Sequence, residues 1–205
     1  VRRFQRRHGH EPDGRIGKAT LAALDVPLAR RVEQMQLTLE RWRWLPERFA
    51  APPIVVNIPE FRLRALRVEG ADLIPELSLK VVVGAAFDHQ TPVLAGALRY
   101  VLFHPYWNVP RPIVEEEILP ALAADPRYLA AHDYELYRAD AGRVATFPET
   151  PETLELLRRG ALDLRQRPGP GNALGAVKLV FANDRDIYLH DTPAKSAFGA
   201  SRRDL

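Results

Sequence analysis

Residues 175 to 193 read GAVKLVFANDRDIYLHDTP, and this stretch decides the fold. The apolar run Gly175 to Phe181 predicts a strand. Asn183-Asp184 supplies turn chemistry, and Asp186 to His190 predicts a second strand, so the pair reads as a β-hairpin. Asp191-Thr192-Pro193 ends the ladder, because proline has no N–H to donate. His190 is thereby displayed at the tip of a strand. Tyr188, two residues earlier, shares its face, since side chains alternate along a strand.

Working outward, Arg167-Pro168-Gly169-Pro170-Gly171-Asn172 ahead of the hairpin reads as a loop. Its prolines remove amide donors, which excludes a phosphate cradle. Further upstream the pattern alternates in IVVNIP from Ile54, in FRLRALRV from Phe61, in LSLKVVVG from Leu77 and in LRYVLFHP from Leu98. These predict strands. In the second, Phe61, Leu63 and Ala65 (or Leu66 after a bulge) are expected inward, with Arg62, Arg64 and Arg67 outward. Ile113 to Ala124 predicts a long helix. Residues 125 to 165 read as irregular and helical, with a helix opening at Pro151-Glu152 and running to Arg159. A segment this long between strands has the character of a lid.

The N-terminal part is helical. Val1, Phe4 and Gln5 fall on one face, Pro12-Asp13-Gly14 makes a turn, and a short helix runs through Thr20, Leu21 and Leu24 until Val26-Pro27 stops it. Residues 28 to 49 predict one helix closed by Trp44-Leu45-Pro46. Its stripe of Val32, Met35, Leu39 and Trp42 is expected to pack into a core.

Composition narrows the chemistry. With 46% hydrophobic and 27% charged residues, the 205-residue chain can build a packed core and is not a disordered segment. No apolar run approaches the ~20 residues of a membrane span. The formal net charge is only +3, and bases and acids are interspersed apart from Arg2, Arg3, Arg6 and Arg7, so nucleic acid is not an expected partner. Six histidines, at 8, 10, 89, 104, 132 and 190, show no metal-binding spacing, and no metal or cofactor is implied. There is no cysteine, which excludes disulfides and thiol catalysis within these residues. A serine nucleophile, Ser196 or Ser201 beside His190, would lack the Gly-x-Ser-x-Gly elbow.

Taken in order, several segments together resemble the catalytic domain of L,D-transpeptidases, cysteine enzymes that cross-link bacterial peptidoglycan, in their large envelope type with a capping insertion. They are Val81-Val82-Val83-Gly84, Gln90-Thr91-Pro92-Val93, His104 to Pro110 (HPYWNVP), Pro168 to Gly175 (PGPGNALG) and Tyr188 to Pro193 (YLHDTP). Phe4-Gln5-Arg6 and Asp13 to Thr20 resemble the closing part of a three-helix peptidoglycan-binding module. The resemblance implies an α+β fold that is mostly β with a helical insertion, a β-sandwich incomplete at its C-terminus, and a small helical N-terminal remnant. It divides the chain into 1–27 (binding module), 28–50 (connecting helix) and 51–205 (catalytic domain), with the cap at about 113–164.

What the resemblance implies for the site follows. The family signature is a histidine, a gap of roughly fifteen residues, then Ser or Thr before His-Gly-Cys. His190 matches its first member, and the expectation is that Ser-His-Gly-Cys follows Leu205, so that the nucleophile lies outside these residues and the chain alone is inactive. His190 would carry protons, its second ring nitrogen held by a backbone carbonyl at Asp191. Tyr188, Trp107 and Asn172 are expected at the substrate, and peptidoglycan stem peptides are the expected partner, in the cell envelope (periplasm). A non-catalytic peptidoglycan-binding protein on the same platform is the competing expectation.

Overall fold

The computed structural model describes residues 1–44, 49, 51–70, 72–85, 90–185 and 187–204. The Leu45-Pro46 breaker, His89 and the Asp186 start of the last strand lie outside the described residues. Two compact units result, one of residues 1–92 with 196–205 and one of residues 93–195.

The first unit begins with α1 (Arg2–Arg7) and α2 (Lys18–Leu24). Gln5 is 2% exposed and ties them together. Its amide nitrogen reaches Asp13 Oδ1 (2.8 Å), the Arg15 carbonyl (2.8 Å) and Thr20 Oγ1 (3.2 Å), while its oxygen accepts from the Gly14 amide (2.9 Å). One buried side chain thus pairs with polar groups of Asp13, Gly14, Arg15 and Thr20, as burial requires. The helix α3 (Leu28–Arg43) follows. Contrary to expectation, its stripe is not core: Val32, Met35, Leu39 and Trp42 are 52%, 65%, 59% and 54% exposed.

The strands β1 (Ile54–Asn57), β2 (Arg62–Glu69) and β3 (Asp72–Lys80) form an antiparallel sheet in chain order. The bulge anticipated in β2 is present, with the register to β3 shifting between Ala65 and Leu66. The in/out alternation is not. Phe61 sits in a left-handed turn (φ 54°) ahead of the strand, and Arg62 and Arg64 are half-buried because both turn back to Glu60. β3 also ends at Lys80, short of the expected Val83, which makes an isolated parallel bridge to Asp204 instead. The Arg203 guanidinium secures that return, donating to the carbonyls of Val81 (3.2 Å) and Phe61 (3.1 Å).

In the second unit, β4 (Leu98–Phe103) and β5 (Trp107–Asn108) precede a continuous helical run: α4 (Arg111–Ile113), a π-turn (Val114–Ile118) and α5 (Leu119–Ala124). Pro120 cannot donate to the carbonyl four residues back, and the widened turn lies just ahead of it. Then come α6 (Tyr128–Ala131), β6 (Tyr134–Asp140), β7 (Arg143–Phe147), α7 (Pro151–Arg158) and β8 (Asp163–Gln166). The insertion is helical, with α6 and α7 in it, but more regular than expected: its β6, β7 and β8 join β5 in a four-stranded sheet ordered β5-β8-β6-β7. The hairpin β6–β7 turns on Ala141 (φ 46°) and Gly142 (φ 78°), the paired left-handed residues of a two-residue turn.

Helices and sheet enclose the hydrophobic core of this unit, made of Val109, Val114, Ile118, Leu122, Leu129, Leu136, Leu157, Leu162 and Leu164. Burial of such side chains stabilises by roughly 1.5–3 kcal/mol each. The chain leaves through the 167–175 loop into β9 (Val177–Phe181) and β10 (Tyr188–His190), which form the hairpin read from the sequence. β9 is central, paired on its other side with β4.

Candidate functional site

Three strands place the tip of β10. β9 holds Tyr188 opposite Val180 and His190 opposite Lys178, and β4 holds Lys178 opposite Leu102. His190 is exposed, and its ring lies 5.7 Å from that of Tyr188, nearly edge-on. The Lys178 ammonium stands 3.6 Å from the centre of the Tyr188 ring, a cation–π contact.

Nδ1 of His190 lies 2.5 Å from the Asp191 carbonyl. A carbonyl only accepts, so the neutral ring carries its proton on Nδ1 and presents Nε2 as the basic atom. That is the orientation a general base needs.

Beside it, Asp191 is heavily engaged. One carboxylate oxygen pairs with Lys195 and the other accepts from the Ala176 amide (3.1 Å), while the Asp191 amide donates to the Val177 carbonyl (2.8 Å). The Lys195 pairing, joined by the Ala176 amide, holds the carboxyl at about 2. Sequence reading named only the Asp191 carbonyl. The signal for its side chain was the left-handed Gly175 (φ 62°), where a Cβ would come within 2.5 Å of the Asp191 carboxylate.

The other expected residues fall elsewhere. Asn172 is 1% exposed. Its amide nitrogen donates toward the carbonyls of Pro105 (3.2 Å) and Arg167 (3.0 Å), and its oxygen accepts from the Leu174 amide (2.8 Å). These bonds shape the 167–175 loop. Trp107 is half-buried against the insertion core, 6.3 Å from the Tyr134 ring. Burial pushes the Tyr134 phenol up to about 12. The structure thus brings Tyr188 together with His190, and places Asn172 in the 167–175 loop and Trp107 against the insertion core. Among the described residues no three His, Asp or Glu side chains gather as a metal site, and no helix is long and apolar enough to cross a membrane.

A histidine held by a backbone carbonyl at a hairpin tip is a geometry open to proton transfer, and comparison with known proteins shows the family. The family model for the L,D-transpeptidase catalytic domain matches residues 52–204, and the model described as "Putative peptidoglycan binding domain" matches residues 1–24. A Haemophilus influenzae protein named "Putative L,D-transpeptidase" is 32% identical over 173 residues, which are 84% of this chain and 33% of that protein. The chain belongs to the L,D-transpeptidase catalytic-domain family. It spans about a third of the length of the curated relative it matches.

Proposed function

We propose that the chain serves peptidoglycan L,D-transpeptidation in the cell envelope, with His190 as proton carrier and Tyr188 beside it at the substrate. The observation that carries this is the Nδ1 bond to the Asp191 carbonyl, which leaves Nε2 to exchange protons with solvent-side reactants. In the reaction, a cysteine thiol gives up its proton to Nε2 and attacks the carbonyl of the third stem residue. His190 then protonates the departing D-alanine amine, and later takes a proton from the acceptor amine that opens the thioester. The 205 residues hold no cysteine, so they supply the base and platform and not the nucleophile.

In this reading residues 1–27 dock onto peptidoglycan, 28–50 connect, and 51–205 form the catalytic domain. The insertion of about 113–164 caps the bound stem and keeps water from the thioester.

The test is a stem tetrapeptide titrated into the ¹⁵N-labelled chain. Chemical-shift changes centred on His190 and Tyr188 are expected, with no D-alanine released. Release of D-alanine by these residues would sink the thioester mechanism, and shifts confined to other surfaces would sink the site. Binding without release in a protein that also carries a cysteine would favour the non-catalytic platform.

A further inference from the structure

We infer that Asp191 is a positioning residue for His190, acting through the backbone and never touching the reacting atoms. The inference rests on the proton-carrier reading above.

A backbone carbonyl fixes an imidazole tautomer only if its own peptide plane is fixed. His190 takes its acceptor from the very next residue, inside a turn that leaves the ladder, where a peptide plane is free to rotate unless something holds it. Here several hydrogen bonds hold it. In the carbonyl's own peptide plane the Thr192 amide is bonded to the Asp191 carboxylate, and in the plane before it the Asp191 amide donates to the Val177 carbonyl. Its side-chain carboxylate closes a second bond across the same gap, to the Ala176 amide, so both ends of the residue are sewn to the strand opposite. Lys195, four residues on, pairs with the remaining oxygen across the Asp191-Thr192-Pro193 turn.

Gly175 completes the arrangement from the other side. Its Cβ position would be 2.5 Å from Asp191 Oδ2 and 2.7 Å from both Cβ and Cγ, so the carboxylate occupies the space a side chain would need. The part of Asp191 is mechanical: it keeps the carbonyl aimed at Nδ1 so that Nε2 stays the proton acceptor.

The proposal is tested by the tautomer of His190, read from long-range ¹H–¹⁵N correlations of the 205-residue chain at a pH where the ring is neutral. The unaltered chain is expected to show the Nδ1–H form in excess. Asp191→Ala should lower the ratio of Nδ1–H to Nε2–H by roughly fivefold, the factor one hydrogen bond carries. Asp191→Asn keeps an acceptor for Ala176 but loses the pairing to Lys195, and should lower it by about twofold.

A folded Asp191→Ala chain with an unchanged ratio overturns the proposal. If that variant does not fold, an unchanged ratio in Asp191→Asn overturns it. A merely structural role would lower the melting temperature and leave the ratio of the folded form alone. The proton-carrier reading fails by another measurement, the tetrapeptide titration, which leaves the tautomer ratio untouched.

Discussion

The carboxylate of Asp191 carries a pH dependence of definite sign. Lys195 and the Ala176 amide hold it at about 2, below the 3.8 of a free aspartate. A group depressed on folding contributes stability that is present above its unfolded value and is lost as pH falls through the folded one. The Ala176 amide is therefore expected to keep its hydrogen-exchange protection down to about pH 4 and lose it progressively toward pH 2, while the amides of β6 keep theirs further into acid. At this scale the sequence announced His190, because strand alternation and the Thr192-Pro193 stop define where the ladder ends. It did not announce the fate of Asn172. Which groups an asparagine bonds depends on the carbonyls the fold brings near, here that of Pro105, sixty-seven residues away.

Among the elements, α7 shows how locally some boundaries are written. Thr150 and Thr153 cap it reciprocally: the Thr153 amide donates to Thr150 Oγ1 and the Thr150 amide to Thr153 Oγ1, with Pro151 at the first helical position. Thr150→Ala is expected to cost about 0.5–2 kcal/mol, measurable by urea unfolding followed on the insertion. The Pro151 start was legible for this reason. The β6–β7 hairpin was not, because Ala141-Gly142 lacks the Asn-Gly or Asp-Gly signature of such turns and Tyr-Glu-Leu-Tyr reads equally as helix. The α3 stripe failed differently. Its spacing is that of a buried face, yet periodicity reports only that a face is apolar and not whether a partner meets it.

Across the whole chain, the best-packed region of the second unit is the insertion. Leu157 is 0% exposed at the centre of its core. Leu157→Ala should destabilise by about 2–5 kcal/mol, seen as lost hydrogen-exchange protection in β6 and β8. A loss below about 0.5 kcal/mol would contradict the core described above. The β9–β10 hairpin, by contrast, depends on β4, whose residues are exposed along its length. The family and the β9–β10 hairpin were legible in the alternating segments and in the HPYWNVP and YLHDTP motifs. The internal sheet of the insertion was not, since its strands pair across helices that the pattern alone cannot bridge.

That β4 finds β9 only after a long excursion, Phe103 pairing with Val177, has a kinetic consequence. Every residue of the insertion core lies within that excursion, so the subdomain can condense during synthesis while the His190 hairpin is still inside the ribosome. Once condensed it holds the two flanking chains together, and the closure entropy of an open loop of that length, which grows as about (3/2)RT ln n, is largely met before the last strands emerge.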